Sequence, residues 1–214
     1  MEILTQFIDI VLHLDKYLPP LIQQYGIWIY AILFLVIFGE TGFVVLPFLP
    51  GDSLLFVAGL VWHQSDMSVG VLIAVLGIAA VLGNTCNYAI GRALGPKVFQ
   101  WNDSRFFSQA ALAKTHAFYE RHGGKAVLLS RFLPLFRTFV PFVAGVGAMD
   151  FVRFSAFNVV GALLWTVSLT VAGVLFGDIP AVKNNLSLMV VGIVVVSLLP
   201  AVIGWWKHRQ VTHG

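Results

Sequence analysis

Apolar residues run along this chain in long blocks, without the short alternation that marks a half-buried strand. Three blocks are long enough for a helix to cross a bilayer, which takes about 20 residues. They are 69–91 (VGVLIAVLGIAAVLGNTCNYAIG), 154–176 (FSAFNVVGALLWTVSLTVAGVLF) and 185–206. A fourth block starts near Tyr25 and runs cleanly to Phe38 before it meets Gly39 and Glu40. The apolar stretch that follows carries Gly42, Pro47, Pro50 and Gly51, residues that break a helix rather than extend it. Residues 25–60 therefore read as a first span followed by a re-entrant helical hairpin.

Residues 124–150 pose the same problem. GGKAVLLSRFLPLFRTFVPFVAGVGAM is long enough to cross, yet holds Pro134, Pro141, Gly145 and Gly147. A second broken hairpin is expected there. The word FVAG recurs at 56–59 and 142–145, a weak sign of an internal repeat. At the start, apolar positions 3, 4, 7, 8, 11, 12 and 14 suit an amphipathic interfacial helix over 1–20, ended by Pro19 and Pro20. Glu2, Asp9 and Asp15 interrupt its apolar run, so it does not read as a signal peptide.

Composition turns this pattern into a class. Of 214 residues, 58% are hydrophobic and 11% charged, with a mean hydropathy of +0.87. Soluble domains average about 25% charged residues, so most of this surface does not face water. The expected class is an all-α integral membrane protein forming one domain over 1–214. Nucleic-acid binding lacks a basic stripe with an aromatic platform. Cys86 is the lone cysteine, and the six histidines are scattered, so no metal or cofactor site is expected.

Charge then orients the segments. Residues 92–125 hold Arg92, Lys97, Arg105, Lys114, Arg121 and Lys125 against Asp103 and Glu120. The tail adds Lys207 and Arg209. Both regions are expected in the cytoplasm, while 61–68 and 177–184 suit the outside. The parity closes if the two hairpins enter from opposite faces, an inverted-repeat arrangement. Within 92–123, RFFSQAALAKTHAFYER has helical spacing and fits either an interfacial helix or one packed on its own protein.

Four charges stand where hydrocarbon is expected. Glu40 and Asp52 flank the first hairpin; Arg131 and Arg137 flank Pro134 in the second. Each costs roughly 2.5–3.5 kcal/mol at a helix centre on insertion scales. On an unbroken helix, residues six apart point about 120° away from each other. A break at Pro134 lifts that restriction, and irregular backbone at depth survives where protein or water lines it. A polar cavity follows. Guanidiniums match phosphate oxygens, and the bilayer setting suggests a lipid headgroup. Glu40, set between apolar stretches, is a candidate proton carrier. Plainer readings exist: Asp52 caps the returning helix, Arg131 pairs with Glu40 to hold the hairpins, and Arg137 snorkels to the interface.

FGETGFVVLPFLPGDSLLFVAG and SRFLPLFRTFVPFVAG resemble the two signature hairpins of the DedA family of bacterial inner-membrane proteins, within the VTT-domain superfamily that includes eukaryotic lipid scramblases. YERHGGK (119–125) and FNVVGALLW (157–165) match further family stretches. The resemblance covers nearly the whole chain. It implies a flippase linked to the proton motive force, returning undecaprenyl phosphate to the inner leaflet for envelope synthesis. It places proton coupling on Glu40 and Asp52 and phosphate binding on Arg131 and Arg137. Its implied partners are protons and membrane lipids, either polyprenyl phosphate or phospholipid; a homo-oligomer is compatible. One departure is visible: Gly83-Asn84 stands where the family often has Gly-Asp, and Asn84 does not titrate.

Three alternatives remain open at this point: a general phospholipid scramblase, a non-transporting stress-response partner, and a lipid phosphatase. The last is weakest. SRFLPLFR superficially resembles an acid-phosphatase element, but Arg137 stands where its histidine nucleophile belongs. An enzyme is therefore not expected. The stress-response partner would keep its function when Glu40 is neutralised.

Overall fold

The computed structural model describes residues 14–43, 51–63, 65–95, 109–177 and 179–180, and these are helical apart from short connections. In chain order the helices are α1 (Leu14–Tyr25), α2 (Ile29–Gly42), α3 (Gly51–His63), α4 (Val69–Leu94), α5 (Gln109–His122), α6 (Lys125–Ser130), α7 (Pro134–Val146) and α8 (Phe151–Gly177). Three stretches are long and apolar enough to cross a membrane: Lys16–Gly42, Val69–Leu94 and Phe151–Phe176. The last two contain the expected spans 69–91 and 154–176. The expected span 185–206, together with Pro47, Pro50, the N-terminal residues 1–13 and residues 96–108 of the basic loop, lies outside the described residues.

Two expectations about the first segment are corrected. Pro19 and Pro20 do not end a helix; both lie inside α1. Proline holds φ near the helical value, so the helix runs on through both rings at the cost of the ladder bonds their missing N–H groups would make. Gly26 ends α1 instead, with φ +53. That left-handed conformation closes a helix without a Cβ penalty. A 3-10 turn, Gly26–Trp28, then leads into α2. The second correction concerns Phe38. Helix α2 continues past it through Gly39 and Glu40 to Gly42, so the acid stands on the helix rather than after it.

The break in 124–150 is present. Leu133 is extended (φ −119, ψ 101), as expected of a residue before proline. Pro134 opens α7 at its first position, where no N–H is needed. Pro141 lies within α7. Helices α6 and α7 pack on each other through Ala126 and Val127 against Val140 and Ala144.

The chain divides into two compact units whose boundaries fall within α2, α4 and α8. Unit 1 comprises residues 1–34, 49–76 and 166–214; unit 2 comprises 35–48 and 77–165. In unit 1, α3 is buried from Ser53 through Trp62. Trp62 Nε1 donates to the Tyr30 hydroxyl at 3.1 Å, which donates to the Ser68 carbonyl at 3.2 Å. Helix α3 meets the second half of α8 backbone to backbone. A Cβ on Gly59 would strike the Thr170 carbonyl, and one on Gly173 the Phe56 carbonyl. Small residues at such contacts bring helix axes close in lipid.

Unit 2 repeats this contact with α7 and α4. A Cβ on Gly145 would strike the Tyr88 carbonyl, and one on Gly91 the Phe142 carbonyl. Tyr88 stacks on Phe154, ring centroids 4.3 Å apart. Helix α5 docks on α7: Tyr119 packs against Phe139, Phe142, Val143 and Val146. Burial raises the Tyr119 phenol above its ordinary range, opposed by the positive charge of Arg153. This end of α5 is thus packed on its own protein.

Candidate polar site in unit 2

Three helix segments carry charge into the interior of unit 2. Glu40 lies in the last turn of α2 and is 0% exposed. Arg137 lies in α7, one turn after Pro134, and is 7% exposed. Arg131 directly follows α6 and is 3% exposed. Arg137 Nη2 donates to Glu40 Oε1, forming a buried ion pair. The plainer readings, Glu40 paired with Arg131 and Arg137 snorkelling, are replaced by a Glu40–Arg137 pair in which Arg137 is buried.

Arg131 finds neutral partners instead. Its Nη2 donates to the Ala80 carbonyl at 3.0 Å and to Asn158 Oδ1 at 2.7 Å. Asn158 in turn donates to the Val81 carbonyl at 3.0 Å and to Thr85 Oγ1 at 3.3 Å. Both guanidiniums lie over the buried ring of Trp165, Arg131 at 5.9 Å and Arg137 at 5.5 Å from its centroid. The ring's negative face attracts both cations and offsets part of their mutual repulsion. The helix break thus turns two arginines six residues apart toward one indole.

A further residue sets the pair's geometry. Asn87 on α4 donates its amide to the Thr41 carbonyl at 3.3 Å and to the Thr138 carbonyl at 2.6 Å. Thr41 follows Glu40 and Thr138 follows Arg137, so one buried amide ties both partners' backbones to α4. Asn84 lies one turn away on the same face, 1% exposed, and neither atom of its amide has a hydrogen-bond partner. Asn87 Oδ1, Thr138 Oγ1 and Arg131 Nε are likewise buried without partners. Unsatisfied buried polar atoms are costly, so a cluster of them marks a place where water or a polar ligand belongs.

Asp52 stands in unit 1, half-buried in the first turn of α3, and Gly51 begins that helix. Among the described residues no group of histidine, cysteine, aspartate and glutamate side chains fits a metal ion. Sequence reasoning singled out the charges but missed Asn87, Asn158 and Trp165. The spacing of Ala80, Asn84 and Asn87, on one helical face, was the available signal.

A polytopic helical membrane protein with a buried, hydrogen-bonded charge cluster is the class these features define. The family model for the VTT domain matches residues 49–175. The chain is 51% identical over 212 residues to Protein DedA of Escherichia coli K12, covering 98% of this chain and 97% of that one. It is 44% identical over 171 residues to the uncharacterized membrane protein ML0287 of Mycobacterium leprae, covering 80% and 77%. Against the inner membrane protein YqjA of Escherichia coli K12 it is 30% identical over 221 residues, covering both chains fully. No solved structure matches significantly. This chain belongs to the DedA family.

Proposed function

We propose that this protein is a proton-coupled transporter of a lipid phosphate in the bacterial inner membrane, with undecaprenyl phosphate as substrate and envelope synthesis as the process served. The observation that carries the reading is the buried Glu40–Arg137 pair with Arg131 sharing the same indole. An ion pair in a low-dielectric interior is weak evidence for stability, because desolvation offsets its Coulomb gain. In membrane segments such groups mark substrate or proton pathways.

The chemistry follows from the pair. A proton added to Glu40 removes the carboxylate charge and frees Arg137 from its charge-assisted bond. A phosphate monoester then takes the carboxylate's place, held by Arg137 and Arg131 through parallel N–H donors. The unpartnered amide of Asn84 and the hydroxyl of Thr138 supply neutral hydrogen bonds to such a group. Release of the lipid lets Glu40 ionise and re-form the pair. Asp52 serves as a second acid in this scheme. The inverted-repeat reading, with a first span and re-entrant hairpin over 25–60 and a second hairpin over 124–150, belongs to the same proposal and is supported by the loop charges and the FVAG recurrence.

Purified protein in vesicles with an imposed proton gradient tests this. Wild type is expected to move undecaprenyl phosphate faster with the gradient than without it. Glu40→Gln is expected to lose that dependence, and Arg131→Ala to lose lipid phosphate binding. Gradient-independent movement by wild type would mark passive scrambling; unchanged transport by Glu40→Gln would remove the proton arm.

A further inference from the structure

Arg131 and Arg137 share an indole but not a kind of partner. Arg137 holds a carboxylate, while Arg131 holds two neutral oxygens, the Ala80 carbonyl and Asn158 Oδ1. Among the described residues no ion pair includes Arg131, which is 3% exposed. A buried guanidinium without its own acid calls for a reason, because the interior disfavours an uncompensated charge.

One face of α8 receives this side chain. Asn158, Gly161 and Trp165 follow each other at spacings of three and four residues, on a single helical stripe. A Cβ on Gly161 would lie 3.6 Å from Arg131 Cδ and 3.7 Å from its Cγ, so the arginine stem runs over the glycine. Trp165 takes the face of the guanidinium, and Asn158 takes its Nη2. The orientation of the Asn158 amide is fixed from behind. Thr85 Oγ1 donates to the Val81 carbonyl at 2.8 Å, which uses the one proton a hydroxyl has. Toward Asn158 that hydroxyl is an acceptor, so Nδ2 faces Thr85 and Val81 and Oδ1 faces Arg131. A flipped amide would aim its N–H groups at the guanidinium.

Neutral acceptors hold a cation less strongly than a carboxylate does. Arg131 is therefore aimed by α8 and α4 without being neutralised by them, and its Nε stays buried without a partner. We propose that Asn158 is a positioning residue of the transport site: it holds Arg131 on a neutral oxygen so that the substrate phosphate, and not a protein acid, becomes its counter-ion. That role rests on the lipid-phosphate reading and adds a residue that acts through Arg131. It also gives the chemical reason for an amide at this position, since an aspartate there would occupy the arginine permanently.

The experiment is undecaprenyl phosphate binding to the purified full chain in detergent, read by native mass spectrometry, with the melting midpoint of every variant taken alongside. Asn158→Ala removes the acceptor and is expected to weaken binding about tenfold. Asn158→Asp keeps the shape and an oxygen on Arg131, but its carboxylate competes with the phosphate. It is expected to weaken binding about a hundredfold, more than Asn158→Ala does. A role confined to satisfying Arg131 predicts the opposite order, because the aspartate restores the acceptor that alanine lacks. Thr85→Val keeps the volume and lets the amide flip, and is expected to weaken binding about threefold at a midpoint close to wild type. This variant decides the matter if the Asn158 substitutions do not fold. Tighter binding by Asn158→Asp than by Asn158→Ala, or unchanged affinity in Thr85→Val, overturns the positioning role and leaves the lipid-phosphate reading standing. Absence of binding by wild type overturns that reading and the positioning role with it.

Discussion

The two compact units solve one packing problem with one word of sequence and then diverge. In unit 1, Phe56–Gly59 of α3 lies against Thr170 and Gly173 of α8; in unit 2, Phe142–Gly145 of α7 lies against Tyr88 and Gly91 of α4. The phenylalanine carbonyl faces the partner glycine each time, and the FVAG glycine faces a carbonyl three residues earlier on the partner. Unit 1 achieves this with a buried stretch, Ser53–Trp62, that contains no charged residue. Unit 2 adds Glu40, Arg131 and Arg137 to its interior. Close helix packing therefore does not require buried charge. The charges of unit 2 answer to something other than packing, which is why the proposed transport role is placed on them.

The variant expected to separate the units most is Arg137→Ala. It leaves the Glu40 carboxylate buried without its strongest cationic partner, and breaking a buried pair from one side costs about 3–5 kcal/mol. The melting midpoint in detergent reads this loss. Replacing both partners, Glu40→Gln with Arg137→Gln, removes the stranded charge and is expected to restore most of the midpoint. That double variant is expected to remain inactive in lipid transport. A double variant as unstable as the single one would make the pair a structural element after all.

The sequence showed unit 2's charges more readily than their partners. Hydropathy alone located α4 and α8, because a span in lipid is apolar on nearly every face. Pro134 revealed the helix break, since a ring without an N–H leaves few alternatives. The partner of Glu40 was not legible: Arg131 and Arg137 are equivalent as letters, and only the rotation after the break decides which reaches the acid. Asn87 and Asn158 were hidden for another reason. Asn87 donates to backbone carbonyls, which every residue has, so no complementary side chain advertises it, and Asn158 meets the Arg131 and Thr85 side chains from a distant stretch of chain. Pro19 and Pro20 misled in the opposite direction, because a proline's φ is itself helical and a helix can run through it at the cost of ladder bonds.

Glycine substitutions probe what the units share. Gly59→Ala and Gly145→Ala each drive a methyl into a partner backbone, and overpacking of this sort costs about 1–3 kcal/mol. Similar drops in midpoint are expected for both, since the apposed atoms correspond. A drop confined to one of them would break the comparison and reduce the FVAG recurrence to coincidence of letters.

The smallest structural effect is expected at Asp52, and that makes it the sharpest functional probe. It is half-buried in the first turn of α3, where a carboxylate is favoured by the helix dipole by about 0.3–1 kcal/mol. Asp52→Asn keeps the shape and removes the charge, so only a small fall in the melting midpoint is expected. In the proton-gradient vesicle assay the same variant is expected to lose most of its coupled transport, because an amide cannot take up and release a proton. Loss of transport at unchanged stability would assign each unit one acid: Glu40 held by an arginine in unit 2, Asp52 at a helix start in unit 1. Full transport would instead confine the charge chemistry to unit 2 and leave Asp52 as a helix-terminal charge.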